Sequence, residues 1–164
     1  MSNRLMALIV SLALGLSAGL APAQEMGVTF GGLKADTSLP VEVKADTLSV
    51  DQASGLASFT GNVLVVQGAM RLSADEVRVE YAKEAGKIAR LHASGKVLLV
   101  NATDAAEAQE AVYTIDTGEV VMTGSVLLTQ GQAAIRGQKL VIDLKSGTGR
   151  MEGGVTTTFV PGGN

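Results

Sequence analysis

From Pro40 onward, short runs rich in Val, Leu, Ile and Thr alternate with charged residues and are broken by Gly, Asn and Asp. This is the period-two texture of half-buried strands. Leu48 and Val50 share one face against Thr47, Ser49 and Asp51, while Val77, Val79 and Tyr81 oppose Glu76, Arg78 and Glu80. No stretch of eleven residues there keeps the i, i+3, i+4, i+7 apolar spacing of an amphipathic helix. The nearest candidate, residues 102–111, is rich in Ala and Glu, lacks an apolar stripe and reads as a loop or a single turn. Residues 24–39 carry no sustained period and contain Gly27, Gly31 and Gly32, which predicts a mobile lead-in with at most one short strand at its start.

Self-similarity organises the rest. Segments starting at Ala45, Ala74, Ala108 and Gly137 match one another, at spacings of 29, 34 and 29 residues. Each is followed, 16, 21, 16 and 16 residues after its start, by a glycine read as beginning a second strand: Gly61, Gly95, Gly124 and Gly153. Four repeats of about 29 residues are therefore predicted, with extra residues in the second forming a longer exposed turn around residues 83–87. Carrying the register along the repeats stacks Leu48, Val77, Ala111 and Leu140 in one row, and Val50, Val79, Tyr113 and Ile142 in the next. Phe59, Ala93, Met122 and Met151 make a third row, and Val63, Val97, Val126 and Val155 a fourth, with Val65, Leu99 and Leu128 beside it. The predicted fold is all-β: an antiparallel, open jelly-roll or β-solenoid-like trough whose ends are open edges. An aliphatic, Met-containing lining with few aromatics suits flexible acyl chains better than flat sugar rings. Pattern and composition alone still favour an ordinary sealed sandwich core over a channel.

The N-terminus changes the compartment. Arg4 precedes the apolar run of residues 5–20, and Ala21-Pro22-Ala23 forms an A-x-A cleavage site. Residues 1–23 are predicted to be a cleaved signal peptide, residues 24–39 a flexible lead-in and residues 40–164 the β domain. The run of 16 residues is shorter than the roughly 20 that span a bilayer, though an uncleaved anchor stays open. Export implies a compartment without ATP. The absence of Cys fits oxidising surroundings and removes disulfides and thiol chemistry. A net charge of -3 argues against a nucleic-acid partner.

Catalytic readings fail one by one. The single histidine, His92, lies on the polar phase of its strand, and one histidine cannot build a two-His zinc site. There is no G-x-S-x-G elbow, and Gly147-Thr148-Gly149 lacks the Lys and helix of a phosphate loop, so it reads as a hairpin turn. The carboxylates Asp46, Asp75 and Glu110 at related repeat positions read as turn and edge residues rather than as metal ligands or glycosidase acids. Asn101-Ala102-Thr103 matches a glycosylation sequon by chance. No catalytic residue, metal site or cofactor is expected.

The motifs resemble the OstA-like family of periplasmic lipopolysaccharide-transport proteins. The resemblance rests on Pro40-Val41-Glu42-Val43 leading to Ala45-Asp46, on Phe59-Thr60-Gly61-Asn62-Val63-Leu64-Val65-Val66-Gln67-Gly68 and on Leu72 to Val77. It continues through Ala108 to Tyr113, Val120 to Val126 and Gly137 to Leu140, with Ser125 where the family favours Asn. It implies an open jelly roll in the periplasm that binds lipopolysaccharide acyl chains in an apolar groove. The groove residues would be Val41, Val43, Leu48, Val50, Phe59, Val63, Val65, Val77, Val79, Val97, Leu99, Tyr113, Met122, Val126, Leu140 and Ile142. It also implies head-to-tail self-association, and contact through edge strands with the inner-membrane transport complex and the outer-membrane translocon. The alternatives are an anchored inner-membrane receptor component of the same machine and a secreted β-solenoid scaffold or enzyme.

Overall fold

The computed structural model describes residues 27–29, 31–83 and 86–159; the expected signal peptide lies outside them. Among the described residues, alternating apolar and polar positions produce eleven strands: β1 (Gly27–Thr29), β2 (Glu42–Lys44), β3 (Thr47–Asp51), β4 (Leu56–Gln67), β5 (Met70–Tyr81), β6 (Ile88–Asn101), β7 (Asp104–Thr114), β8 (Glu119–Gln130), β9 (Ala133–Asp143), β10 (Thr148–Glu152) and β11 (Thr156–Phe159). A 3-10 turn, Gly31–Leu33, follows β1. Strands β4 to β10 form one antiparallel meander. At one end β2 and β3 pair with the two halves of β4; at the other, β10 and β11 pair with the two halves of β9.

Three of the four glycines expected to begin new strands, Gly61, Gly95 and Gly124, instead sit in the middle of long ones, while Gly153 lies in the connection between β10 and β11. Gly61 and Asn62 occupy a register shift where two residues of β4 oppose the single Asp75 of β5, and Gly95-Lys96 and Gly124-Ser125 repeat the arrangement opposite Gln109 and Gln138. Both residues of each pair have positive φ, from 48 to 87°. Two left-handed residues in succession end the pleat and turn the strand, as a bulge does. Gly61 is doubly constrained: its φ is +80°, and a Cβ there would lie 2.5 Å from Asp46 Oδ2. The bends line up across neighbouring strands, so the sheet folds over along a spine and faces itself.

Two ladders show how the faces meet. In one half, direct cross-strand pairing runs Leu48, Phe59, Val77, Ala93, Ala111, Met122, Leu140, Met151. In the other it runs Val43, Val65, Leu72, Leu99, Ala106, Leu128, Ile135, Thr157. The first and third rows read from the sequence are thus alternate rungs of one ladder. Side chains from both halves form one apolar interior.

Three expectations are corrected. Within residues 102–111 only Ala102 and Thr103 form a turn, and residues 104–111 belong to β7, because Ala106 packs between Leu99 and Leu128 and Ala111 between Ala93 and Met122; small side chains suit this narrow interior. Tyr81, read as inward, is exposed, since the register slips past Ala89 at that point. Val155 is exposed beyond the fourth row, in the connection between β10 and β11.

Candidate functional site

The apolar interior between the half-sheets is the candidate binding site. Of the residues expected to line it, Val63, Val65, Val77, Val79, Val97, Leu99, Tyr113, Met122, Val126, Leu140 and Ile142 are buried, and Val41, Val43 and Phe59 are partly buried against them. Leu48 and Val50 differ. They lie on the inward face, opposite Phe59 and Ala57, yet are 54% and 63% exposed. At this end of the fold the second half-sheet does not reach over them, so the apolar ladder emerges into solvent. The opposite end exposes Phe159 to 71%. Away from the ends, the inward side chains pack against each other across the gap.

One edge of the folded sheet is the spine; the other, where the hairpin turns of the two halves approach, is a mouth. Polar side chains clasp it. Tyr113, at the end of β7 in one half, donates its hydroxyl to Gln67 Oε1, at the end of β4 in the other, at 2.7 Å. Gln67 Nε2 donates to the Thr37 and Leu39 carbonyls at 3.1 and 2.9 Å. Asn101 Nδ2 donates to the Lys34 carbonyl at 2.8 Å, and the Ala35 amide donates to the Leu144 carbonyl at 2.9 Å. No buried side-chain nitrogen or oxygen among the described residues lacks a partner. Burial pushes the Tyr113 phenol up from its ordinary value, with the Gln67 hydrogen bond opposing. Residues 31–39, expected as a mobile lead-in, are packed along this mouth: Leu33 is fully buried, and the Gly32 backbone presses on Asp104 so closely that a Cβ there would meet its carboxylate at 2.6 Å. The clasp escaped sequence reasoning, although Gln67, Asn101 and Gln130, each the last residue of a strand before a tight turn, share a position that could have signalled it.

Among the described residues the outer surfaces carry no comparable constellation. His92 is exposed and lies 3.5 Å from Glu80 Oε2. The spine position of Asp46 and Asp75 is filled in the next strand by Gln109 rather than Glu110, and each packs over a bend glycine. Asn62 Nδ2 donates to Asp46 Oδ2 at 2.8 Å. Among the described residues no group of three or more His, Cys, Asp or Glu could hold a metal ion, and no helix is long and apolar enough to cross a membrane. Asn101, buried and bonded to Lys34, is a structural residue rather than a glycan acceptor.

A folded-over antiparallel sheet with a continuous aliphatic interior and unclosed ends is an open jelly-roll trough, not a closed barrel. This chain belongs to the family described as LptA/(LptD N-terminal domain) LPS transport protein, whose profile matches residues 42–148. It is 31% identical over 145 residues to the lipopolysaccharide export system protein LptA of Escherichia coli K12, spanning 77% of this chain and 74% of that protein. An uncharacterized protein of Rhizobium meliloti is 27% identical over 152 residues, 88% of this chain and 82% of that protein. In fold it matches the crystal structure of LptH, the LptA-homologous periplasmic component of the lipopolysaccharide transport device of Pseudomonas aeruginosa. The TM-score is 0.69 at 19% identity, covering 77% of this chain and 99% of that one.

Proposed function

We propose that the protein works in the periplasm as a non-enzymatic carrier, holding the acyl chains of lipopolysaccharide between its half-sheets and passing them from the inner towards the outer membrane. The observation that carries this reading is the pair of largely aliphatic ladders that run the length of the fold, the first of which surfaces at Leu48 beside the exposed Val50, while Phe159 is exposed at the other end. An acyl chain buries on the order of ten methylenes at about 0.8 kcal/mol each, so passage through water is the dominant obstacle to transfer. An aliphatic lining holds such a chain without a deep polar anchor to stop it sliding. Because the inward side chains fill the gap, a chain enters by parting the halves, and the flexible Met122 side chain adapts to it. The unpaired edges of β2, β3 and β11 suit strand addition by a neighbour, giving a head-to-tail bridge between membrane partners.

Photo-crosslinking tests the reading. Reactive side chains at Val43, Val50, Phe59, Val63, Tyr113 and Met122 are expected to capture lipopolysaccharide in cells, while those at the outward Ser49, Arg78 and Thr114 are not. Equal yields on both faces would sink the groove.

A further inference from the structure

The two ends of the trough are not equally open. At the β2/β3 end every residue of β3 is exposed and its outer edge is free. At the other end β11 has a free edge, but β10 does not: β1 of the same chain lies antiparallel along it, with Gly27, Val28 and Thr29 opposite Arg150, Gly149 and Thr148. Strand sense identifies what this edge would otherwise accept. Alternation through the meander sets β3 antiparallel to β4 and leaves β10 parallel to β4, so β3 of a second copy meets β10 in the same antiparallel sense that β1 now occupies. That pairing would also prolong the apolar rows, since the exposed Leu48 and Val50 would continue the ladders ending at Met151 and Gly149.

We propose that β1 and residues 31–39 are an intramolecular strap that occupies the β10 edge and withholds it from β3 of a second copy. The inference rests on the head-to-tail reading and adds its regulation. The strap is anchored along the mouth: Leu33 is buried, Asn101 holds the Lys34 carbonyl, Gln67 holds those of Thr37 and Leu39, and the Ala35 amide is bonded to Leu144. Among the described residues β1 pairs with β10 at three positions, whereas β3 offers five residues, so β3 of a second copy is a competitor able to displace the strap. Parting the halves at the mouth strains the same anchors, so loading the interior and freeing the edge are coupled.

Self-assembly of the full chain, followed by light scattering across a wide concentration range, tests the strap. In adjacent positions of an edge strand only one of two amides faces its neighbour, so Val28→Pro with Thr29→Pro removes whichever one bonds β10. This variant is expected to assemble at a concentration at least tenfold lower than the parent. Conversely, Gly27→Cys with Arg150→Cys places two thiols at directly opposed positions in a chain that otherwise has no Cys. Oxidation is expected to move assembly at least tenfold higher, and reduction to restore it. Thermal melting of each variant verifies the fold. Unchanged assembly midpoints in the proline variant or the oxidised protein, with the parent assembling, overturn the strap alone. Absence of assembly in every folded form overturns the head-to-tail reading and the strap with it.

Discussion

Tyr113 and Gln67 stand 46 residues apart in sequence and meet across the mouth, hydroxyl to amide oxygen, at 2.7 Å. That single contact joins the two half-sheets directly at the edge opposite their spine, and the same Gln67 side chain also holds the strap. Tyr113→Phe would leave the buried Gln67 oxygen without its donor, so a loss of about 1–3 kcal/mol is expected in denaturant unfolding. Tyr113 should also shape the alkaline limb of stability. Its folded pKa is raised above the ordinary 10.0, so the protonated form is favoured in the fold. That contribution is complete below the unfolded value and is lost as pH climbs through the folded one. Stability of the parent should therefore fall more steeply above about pH 10 than that of Tyr113→Phe. Parallel curves would show that the phenol does not titrate against the fold.

Val63, fully buried behind the first bend, is the most informative place for a charge. Val63→Asp is expected to cost several kcal/mol even if the carboxyl protonates. Glu76→Gln, which removes only a partly exposed ion pair to Arg78 at 3.0 Å, should cost less than about 1 kcal/mol. Outer-membrane lipopolysaccharide delivery in dependent cells, measured alongside protein abundance, reads the functional side. Normal delivery by a folded Val63→Asp protein would reverse the assignment of faces.

The bend at Gly61 separates backbone strain from crowding. Gly61→Ala should lose at least about 1 kcal/mol, through both its positive φ and the approach to Asp46. In an Asp46→Ala background the 2.5 Å approach to Oδ2 is removed, while the tight 3.0 Å approach to the Cβ of residue 46 and the φ penalty stay, so the cost of Gly61→Ala should shrink without vanishing. A double-mutant cycle showing no coupling would remove the steric half of the argument.

Ser125 occupies the left-handed position that Asn62 fills in the first bend, with φ of 51° against 48°. Asn visits this region more readily than Ser, so Ser125→Asn should stabilise the protein by about 0.5 kcal/mol. A lower denaturation midpoint for the variant would contradict it.

The sequence made the inward faces legible because a strand's two-residue period leaves no freedom about which side chains share a side. Leu48, Val77, Ala111 and Leu140 could be aligned without knowing that Phe59, Ala93, Met122 and Met151 interleave with them. What stayed hidden depended on distant partners. The helix-favouring Ala and Glu content of residues 104–111 disguised β7, whose extended form is imposed by Leu99, Leu128 and Met122 from its neighbours. The clasp joins Asn101 to Lys34 and Tyr113 to Gln67, and no local pattern records such pairs. The lead-in looked structureless because its backbone groups are satisfied singly, by the strand-end side chains of Gln67 and Asn101 and by the Leu144 carbonyl, rather than by a regular ladder.

Opposite strand senses at the two extremities have a directional consequence. Copies joined β3 to β10 would all point the same way, since the contacting surfaces are different patches rather than the same patch twice. Such an array has no two-fold symmetry through which to close on itself, and each added copy reproduces the ends it covers. Its length would then be limited from outside, by unlike terminators at the two extremities, and anything moving along it would meet the same succession of side chains in the same order at every step.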